Sequence, residues 1–459
     1  MSPFFTKSSK TATEIIPVTS AELDKWLKSQ DEMTKNFVKA RDFKASPNSF
    51  VSIPDNSGKT KFILAGYSKD DVLYRFSKIA AGLPKGTYTI KGKMGEKDAT
   101  QAAIGWALGQ YRFDKYLAQK NDKPNKLVLP KNANTTEVES TVKAVTLVRD
   151  LVNTPSNDMT PSALQAAAEE LAKEFNAKSK TIIGDDLLKK NFPLIHAVGR
   201  AYKDAPRLVD ITWGKATDPK VTLVGKGVTF DTGGLNIKSG ASMGLMKKDM
   251  GGAAHVLGLA RLIMENNLPV RLRVLVPIAE NSISSNSFRP SDVIKSRKGT
   301  TVEIENTDAE GRLILADALT EACSEKPDLL IDFATLTGAA RVAMGPDVPP
   351  FFTDDKALAK DFMEAGEKNQ DPVWQLPLWK DYISMLSSTV ADICHTGAGG
   401  QAGSITAALF LQHFVDEDIK WAHFDTWAWR KSNRPGRPVG GDAIGMRTAY
   451  DVIKKRFGK

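Results

Sequence analysis

Asn306-Thr307-Asp308-Ala309-Glu310-Gly311-Arg312 sets two carboxylates and a guanidinium at alternate positions, where a β-rich stretch gives way to a helix. In an extended segment, residues two apart face one side, so Asp308, Glu310 and Arg312 are expected to point into one cavity. Such crowding is costly without a cation between the acids and an anion beside the arginine. Taken alone, the run is equally well explained by capping, because acids are favoured at helix starts. A second cluster shifts the balance. Val221 to Gly252 reads VTLVGKGVTFDTGGLNIKSGASMGLMKKDMGG, which spaces Lys226, Asp231, Lys238 and Asp249 among glycines after a short buried-type strand. Glycine-rich loops at strand ends reach conformations closed to other residues and carry the chemistry of many α/β enzymes.

Asp231, Asp249, Asp308 and Glu310 cannot share a small cavity as anions unless about four negative charges are offset, and two divalent cations do so. Oxygen-rich ligation suits Zn²⁺, Mn²⁺ or Mg²⁺, and a cluster without histidine argues against a zinc-only site. Other chemistries fit less well. Phe230-Asp231-Thr232-Gly233 has the D-T-G of aspartic proteases, but that mechanism needs two such carboxylates and the chain has one copy. Cys394 and His395 are sequence neighbours, an arrangement that rarely aligns a thiol with its base. Cys323 and Cys394 read as small core residues. The five histidines (His196, His255, His395, His413, His423) show no metal-ligand spacing and are expected in packing or surface roles. There is no phosphate-binding G-x-x-x-x-G-K-[ST] loop.

Together with Phe333-Ala334-Thr335-Leu336-Thr337-Gly338-Ala339 and Gly399-Gly400-Gln401-Ala402-Gly403-Ser404-Ile405-Thr406-Ala407-Ala408, the two segments resemble the signature of the leucine aminopeptidase (cytosol aminopeptidase) family of two-metal exopeptidases. The likeness runs over roughly residues 150 to 430. It implies that Lys226, Asp231, Asp249, Asp308 and Glu310 hold two divalent ions, with Asp231 and Glu310 bridging. Asp308 would complete the first metal's shell, and Lys226 and Asp249 would belong to the second. Lys238 and Arg312 would be the catalytic pair that bind no metal, Arg312 holding a bicarbonate as proton shuttle. A lysine ligand must be neutral, so a metal beside Lys226 has to depress an amine pKa that is ordinarily about 10.4.

The chemistry expected is hydrolysis at the free N-terminus of short peptides, by a hydroxide shared between the metals. Met246, Thr335 and Gly338 match positions lining the pocket for the substrate's first side chain, and a methionine wall there favours Leu or other hydrophobic residues. After Trp421-Ala422-His423-Phe424-Asp425 the tail TWAWRKSNRPGRPVGGDAIGMRTAYDVI departs from the family's more familiar ending. The pocket's far wall comes from that region. The resemblance further implies a hexamer built from two trimers. Two alternatives share the scaffold: a DNA-binding accessory protein, and an inactive homologue, against which the intact Lys238 and Arg312 argue.

The elements that must position these groups alternate. Strands are expected around 206–212, 221–224, 270–277 and 328–333, with helices near 251–266 and 311–324. That pattern predicts an α/β fold, its catalytic domain built on a mostly parallel sheet covered by helices on both faces. A smaller α/β N-terminal domain is expected over residues 1–135, followed by the catalytic domain over 136–459. Strands are expected at Lys61–Leu64 and Thr87–Ile90, a helix over Asp98–Leu117, and a linker over Asn121–Asn134. Thr136 and Glu139 form a capping-box pattern opening a helix that joins the domains, and Thr160-Pro161 opens another.

Composition bounds the rest. Hydrophobic residues make up 41% and charged ones 25%, which predicts a soluble globular chain. The first 150 residues carry 25 basic and 16 acidic side chains, so they hold all of the net charge of +9. Scattered lysines without interleaved aromatics read as a solvated surface rather than a nucleic-acid face. Two cysteines, no apolar leader and no long apolar run predict a cytoplasmic location.

Overall fold

The computed structural model describes residues 2–118 and 123–458. Two compact units divide the chain: Met1–Thr146 with Arg430–Val439, and Leu147–Trp429 with Gly440–Lys459. The division falls inside the helix Thr135–Asn153. That helix is capped by Asn134, whose side chain accepts from the Glu137 amide. The expected Thr136/Glu139 box is not what caps it, because Glu139 instead accepts from the Ser2 amide, a partner distant in sequence.

The first unit is built on β1 (Phe5–Thr6), β2 (Thr13–Val18), β3 (Phe50–Pro54), β4 (Thr60–Gly66), β5 (Thr87–Ile90) and β6 (Lys126–Val128), in the order β1-β6-β5-β2-β4-β3. All neighbours are parallel except β3, which runs antiparallel to β4 at one edge. Two expectations need correction. The helix expected to reach Leu117 spans Glu96–Leu108, and just beyond it the Gln110 side chain is tied to the Asn125 backbone as donor and acceptor. The supposed linker contains β6, whose buried Leu127 joins the sheet between β1 and β5; its Asn121 and Asp122 lie outside the described residues. Three residues between prolines show no periodicity, so only the distant partner strands reveal this one.

The second unit contributes β7 (Lys178–Ile183), β8 (Arg207–Trp213), β9 (Lys220–Gly225), β10 (Gly227–Asp231), β11 (Arg271–Asn281), β12 (Val293–Lys295), β13 (Thr301–Glu303), β14 (Leu329–Ala334), β15 (Pro350–Phe352), β16 (Trp374–Gln375), β17 (Ile393–Cys394) and β18 (Trp421–Asp425). The main sheet runs β16-β15-β18-β14-β9-β11-β8-β7, with β10 added on β11, while β12, β13 and β17 form a small separate sheet. The centre of the main sheet, β18-β14-β9-β11, is parallel; β8 and β15 run antiparallel to it, and β7 pairs antiparallel with β8.

Every residue of β14 is buried, as a strand covered on both faces requires. Leu330 packs in one core with Leu313 to Leu315 of the helix Glu310–Cys323. Phe333, of opposite parity and so on the other face, stacks on His255 of the helix Gly251–Glu265 at 5.5 Å. Because the central strands are parallel, their carboxyl ends share one edge, and every loop that leaves it starts there.

Candidate metal centre

Four strand ends deliver polar groups to that edge. Lys226 follows β9, Asp231 closes β10, Asn281 closes β11 and Thr335 follows β14. Two short 3₁₀ turns bring the rest, Met246–Met250 carrying Asp249 and Thr307–Ala309 carrying Asp308. Glu310 and Arg312 lie in the first turn of the helix Glu310–Cys323. The acidic run is therefore not extended, and strand alternation is not what gathers its carboxylates. The turn holds Asp308 beside Glu310, with Asn306 capping by accepting from the Asp308 amide.

Close approach explains two glycines. A Cβ on Gly252 would meet the Phe333 carbonyl oxygen at 2.1 Å, and one on Gly311 would meet Lys226 Cε at 2.5 Å. The Lys226 side chain thus lies across the start of the helix, and nothing larger than hydrogen fits beneath it.

Asp231, Asp308 and Glu310 each offer an oxygen, all within 4.8 Å of one another. Lys226 Nζ lies 2.7 Å from Asp249 Oδ2 and 3.0 Å from Glu310 Oε1. Lys238 Nζ lies 2.8 Å from Asp231 Oδ2 and 2.5 Å from Asp308 Oδ1. The five ligand positions and Lys238 are thus brought together. These ion pairs are short, yet among the described residues Asp249 Oδ2, Asp308 Oδ1 and Glu310 Oε1 have no partner beyond these ammonium groups, which approach them in directions poor for a hydrogen bond. Buried carboxylate oxygens left in that state fit a cation as their missing partner.

The electrostatics point the same way. Burial, then Asp249, raises the Asp231 carboxyl to about 6. Burial and Asp231 raise Glu310 to about 8. Burial opposes ionisation of Asp249 too, but Lys226, Lys248 and Lys238 outweigh it and hold Asp249 at about 2. Lys226 is pushed above its ordinary value: burial works against the charge, and Asp249, Glu310 and Asp231 overcome it. Lys238 rises for the same reason, its main anionic partner being Asp231. The protein's own cations thus leave the carboxylates under-neutralised.

Arg312 stands apart from the acids. It donates to the His395 carbonyl at 2.6 Å, its Nε has no partner, and burial lowers it to about 10. His395 is structural, with its ring 2.9 Å from the Asn306 carbonyl and 3.2 Å from the Glu305 amide, which steadies the acidic run. Of the expected pocket residues, Met246 is half-buried on the turn that carries Asp249, and Gly338 is exposed at the start of the helix Gly338–Met344. Thr335 points its hydroxyl at Asp249, 2.8 Å from Oδ1.

Sequence reasoning missed Asn281 and Thr307. Asn281 donates to Asp231 Oδ1 at 2.8 Å and to the Thr307 carbonyl at 3.0 Å. The Thr307 hydroxyl donates to the Gly233 carbonyl at 2.6 Å. These bonds tie the two acidic segments together. The only signal available for Asn281 was a polar residue ending an apolar strand that the pattern cut short at 277.

An acid-rich centre at the carboxyl edge of a mostly parallel, helix-covered sheet defines a metal-dependent α/β enzyme. A model described as the cytosol aminopeptidase family, catalytic domain, matches residues 146–450, and one described as the M17 aminopeptidase, N-terminal domain, matches residues 14–130. The chain belongs to the cytosol aminopeptidase family and is a metal-dependent aminopeptidase, a hydrolase acting on peptides. A probable cytosol aminopeptidase of Chlorobium limicola is 35% identical and covers 98% of both chains. One from Prochlorococcus marinus is 40% identical over 77% of this chain and 74% of its own. The crystal structure of a cytosol aminopeptidase from Coxiella burnetii superposes with a TM-score of 0.95 at 46% identity over 99% of each chain. The bottromycin maturation enzyme BotP in complex with Mn gives 0.86 at 30% identity, over 97% of this chain and 99% of that one. No helix among the described residues is long and apolar enough to cross a membrane.

Proposed function

We propose that Lys226, Asp231, Asp249, Asp308 and Glu310 hold two divalent ions, bridged by Asp231 and Glu310, and that the chain removes Leu or another hydrophobic residue from the N-terminus of short peptides. The observation that carries this is the set of three carboxylate oxygens without hydrogen bonds beside two lysines. Two such ions, when bound, polarise the scissile carbonyl and supply hydroxide near neutral pH. Lys226 then acts as a neutral ligand, the nearby positive charge reversing the upward push of its carboxylates.

Lys238, at the rim of the cluster and paired with two of its acids, stays cationic and stabilises the developing oxyanion. Arg312 would hold a bicarbonate through its Nε, which has no partner among the described residues, and such an anion would supply a proton shuttle there. Manganese or zinc suits the donor set, and the manganese-bound relative supports the former. Exposed Trp379, Ile383 and Val390 support burial against further copies in a hexamer.

Release of p-nitroaniline from leucine p-nitroanilide, with and without added Mn²⁺ or Zn²⁺, tests the reading. The wild type is expected to need metal, and Asp308→Ala to lose metal and activity together. Wild-type protein that takes up no divalent ion in calorimetry would sink the proposal.

A further inference from the structure

One cationic group lies beside the metal centre without being one of its proposed ligands or catalytic groups. Lys248, on the turn between Met246 and Asp249, is buried, its ammonium makes no hydrogen bond among the described residues, and that ammonium sits 3.5 Å from Asp249 Oδ1. Its ammonium lies 4.3 Å from the centroid of the Trp427 ring. Arg341 lies over the same ring, its Cζ 3.7 Å from the centroid. Trp427 belongs to the tail that departs from the family's usual ending.

Arg341 comes from the helix Gly338–Met344, three residues after Gly338. A Cβ built on Gly338 would lie 3.8 Å from Arg341 Nη2, and no other heavy atom would be within 4 Å. The guanidinium therefore flanks the open space beside the pocket glycine. Among the described residues the Arg341 guanidinium has neither a hydrogen bond nor an ion pair. Asp425 acts on it only at a distance, because that carboxylate already accepts from the Leu336 amide and from the Thr337 amide and hydroxyl. Two cations share one indole, and Asp249, the single acid in contact with either of them, is already engaged by Lys226 and Thr335. An indole face attracts cations, yet it neutralises no charge. A guanidinium held over a ring face by its carbon can keep N–H groups free for a carboxylate.

We infer that Arg341, laid on Trp427 with Lys248 behind it, forms a carboxylate-recognising wall of the substrate pocket, so that the enzyme also accepts peptides carrying an anionic group there. The inference rests on the peptidase reading and extends its substrate class beyond hydrophobic residues. Two substrate carboxylates share this chemistry: the side chain of an N-terminal Glu or Asp, and the C-terminus of a dipeptide. The place of Gly338 favours the first.

The manganese-loaded enzyme separates the sources through two pairs of substrates. Glutamyl and glutaminyl p-nitroanilides differ only in the side-chain carboxylate, and leucylglycine and leucylglycinamide differ only in the C-terminal one. The wild type is expected to favour the acid of one pair in kcat/KM by about tenfold or more. Arg341→Met should abolish that preference, and Arg341→Lys should retain part of it, which a merely structural role for Arg341 would not produce. Leucine p-nitroanilide serves as the control in every variant. If it is cleaved while neither pair shows a preference, or the preference survives Arg341→Met, the wall is wrong and the peptidase reading stands. If the wild type cleaves none of these substrates, both fall.

Discussion

Two ionic clusters of the catalytic unit use similar side chains to opposite ends. Around Arg273, Nε and Nη2 reach the two oxygens of Asp210 at 3.1 and 2.8 Å, and Nη2 also reaches Glu321 Oε1 at 2.6 Å. Arg297 takes the other Glu321 oxygen. No oxygen of Asp210 or Glu321 is left buried without a partner. Around Lys226 the pairs are as short, yet three carboxylate oxygens lack a hydrogen bond. A planar guanidinium matches two carboxylates edge to edge, whereas a lysine ammonium is a point charge that leaves their outer lone pairs facing one another. The first cluster is complete as it stands and serves the fold. On the reading proposed above, the second is completed by metal ions, which is what would suit it to chemistry.

Three substitutions press on this contrast. The largest expected effect is Lys238→Ala: metal is retained while kcat on leucine p-nitroanilide falls by about 10²- to 10³-fold. A variant as fast as the wild type would show that the lysine only balances the acids. Next is Gly311→Ala, which places a methyl group 2.5 Å from Lys226 Cε. Displacing that side chain should destabilise the metal-loaded protein by about 1–3 kcal/mol and weaken metal uptake. Comparison of melting temperatures with and without manganese checks it, and an unchanged metal-induced shift would refute it. The smallest effect belongs to the structural cluster. Asp210→Asn should lower stability by about 1–2 kcal/mol in denaturant titration while leaving kcat and metal uptake alone. A loss of activity at equal metal occupancy would mean that the two clusters are coupled through the sheet.

The strands were legible to differing degrees, for reasons visible in particular residues. Val221 to Val224 and Leu329 to Ala334 are mostly apolar runs, interrupted by Thr222 and Asp332 and bounded by turn residues, and both are central strands, as continuous burial dictates. Lys126–Val128 was hidden because a three-residue strand has no periodicity and is defined by its partners alone. Asp98 to Leu117 promised too long a helix because apolar spacing cannot register the tie between Gln110 and the distant Asn125 backbone.

By itself, the sequence determined which groups were available: the order and spacing of Lys226, Asp231, Lys238, Asp249, Asp308, Glu310 and Arg312, and the glycines among them. Those residue types limit the chemistry, because charge and donor set are properties of the side chains. Tertiary structure alone decided their arrangement. It made the acidic run, expected as an extended segment leading into a helix, a 3₁₀ turn and helix start, and recruited Asn281 and Thr307 to tie the two acidic segments together. It also laid Arg341 and Lys248 against the indole of Trp427. Parallel strands place residues far apart in sequence at one sheet edge, and which of them meet depends on strand order and register, which no local pattern encodes.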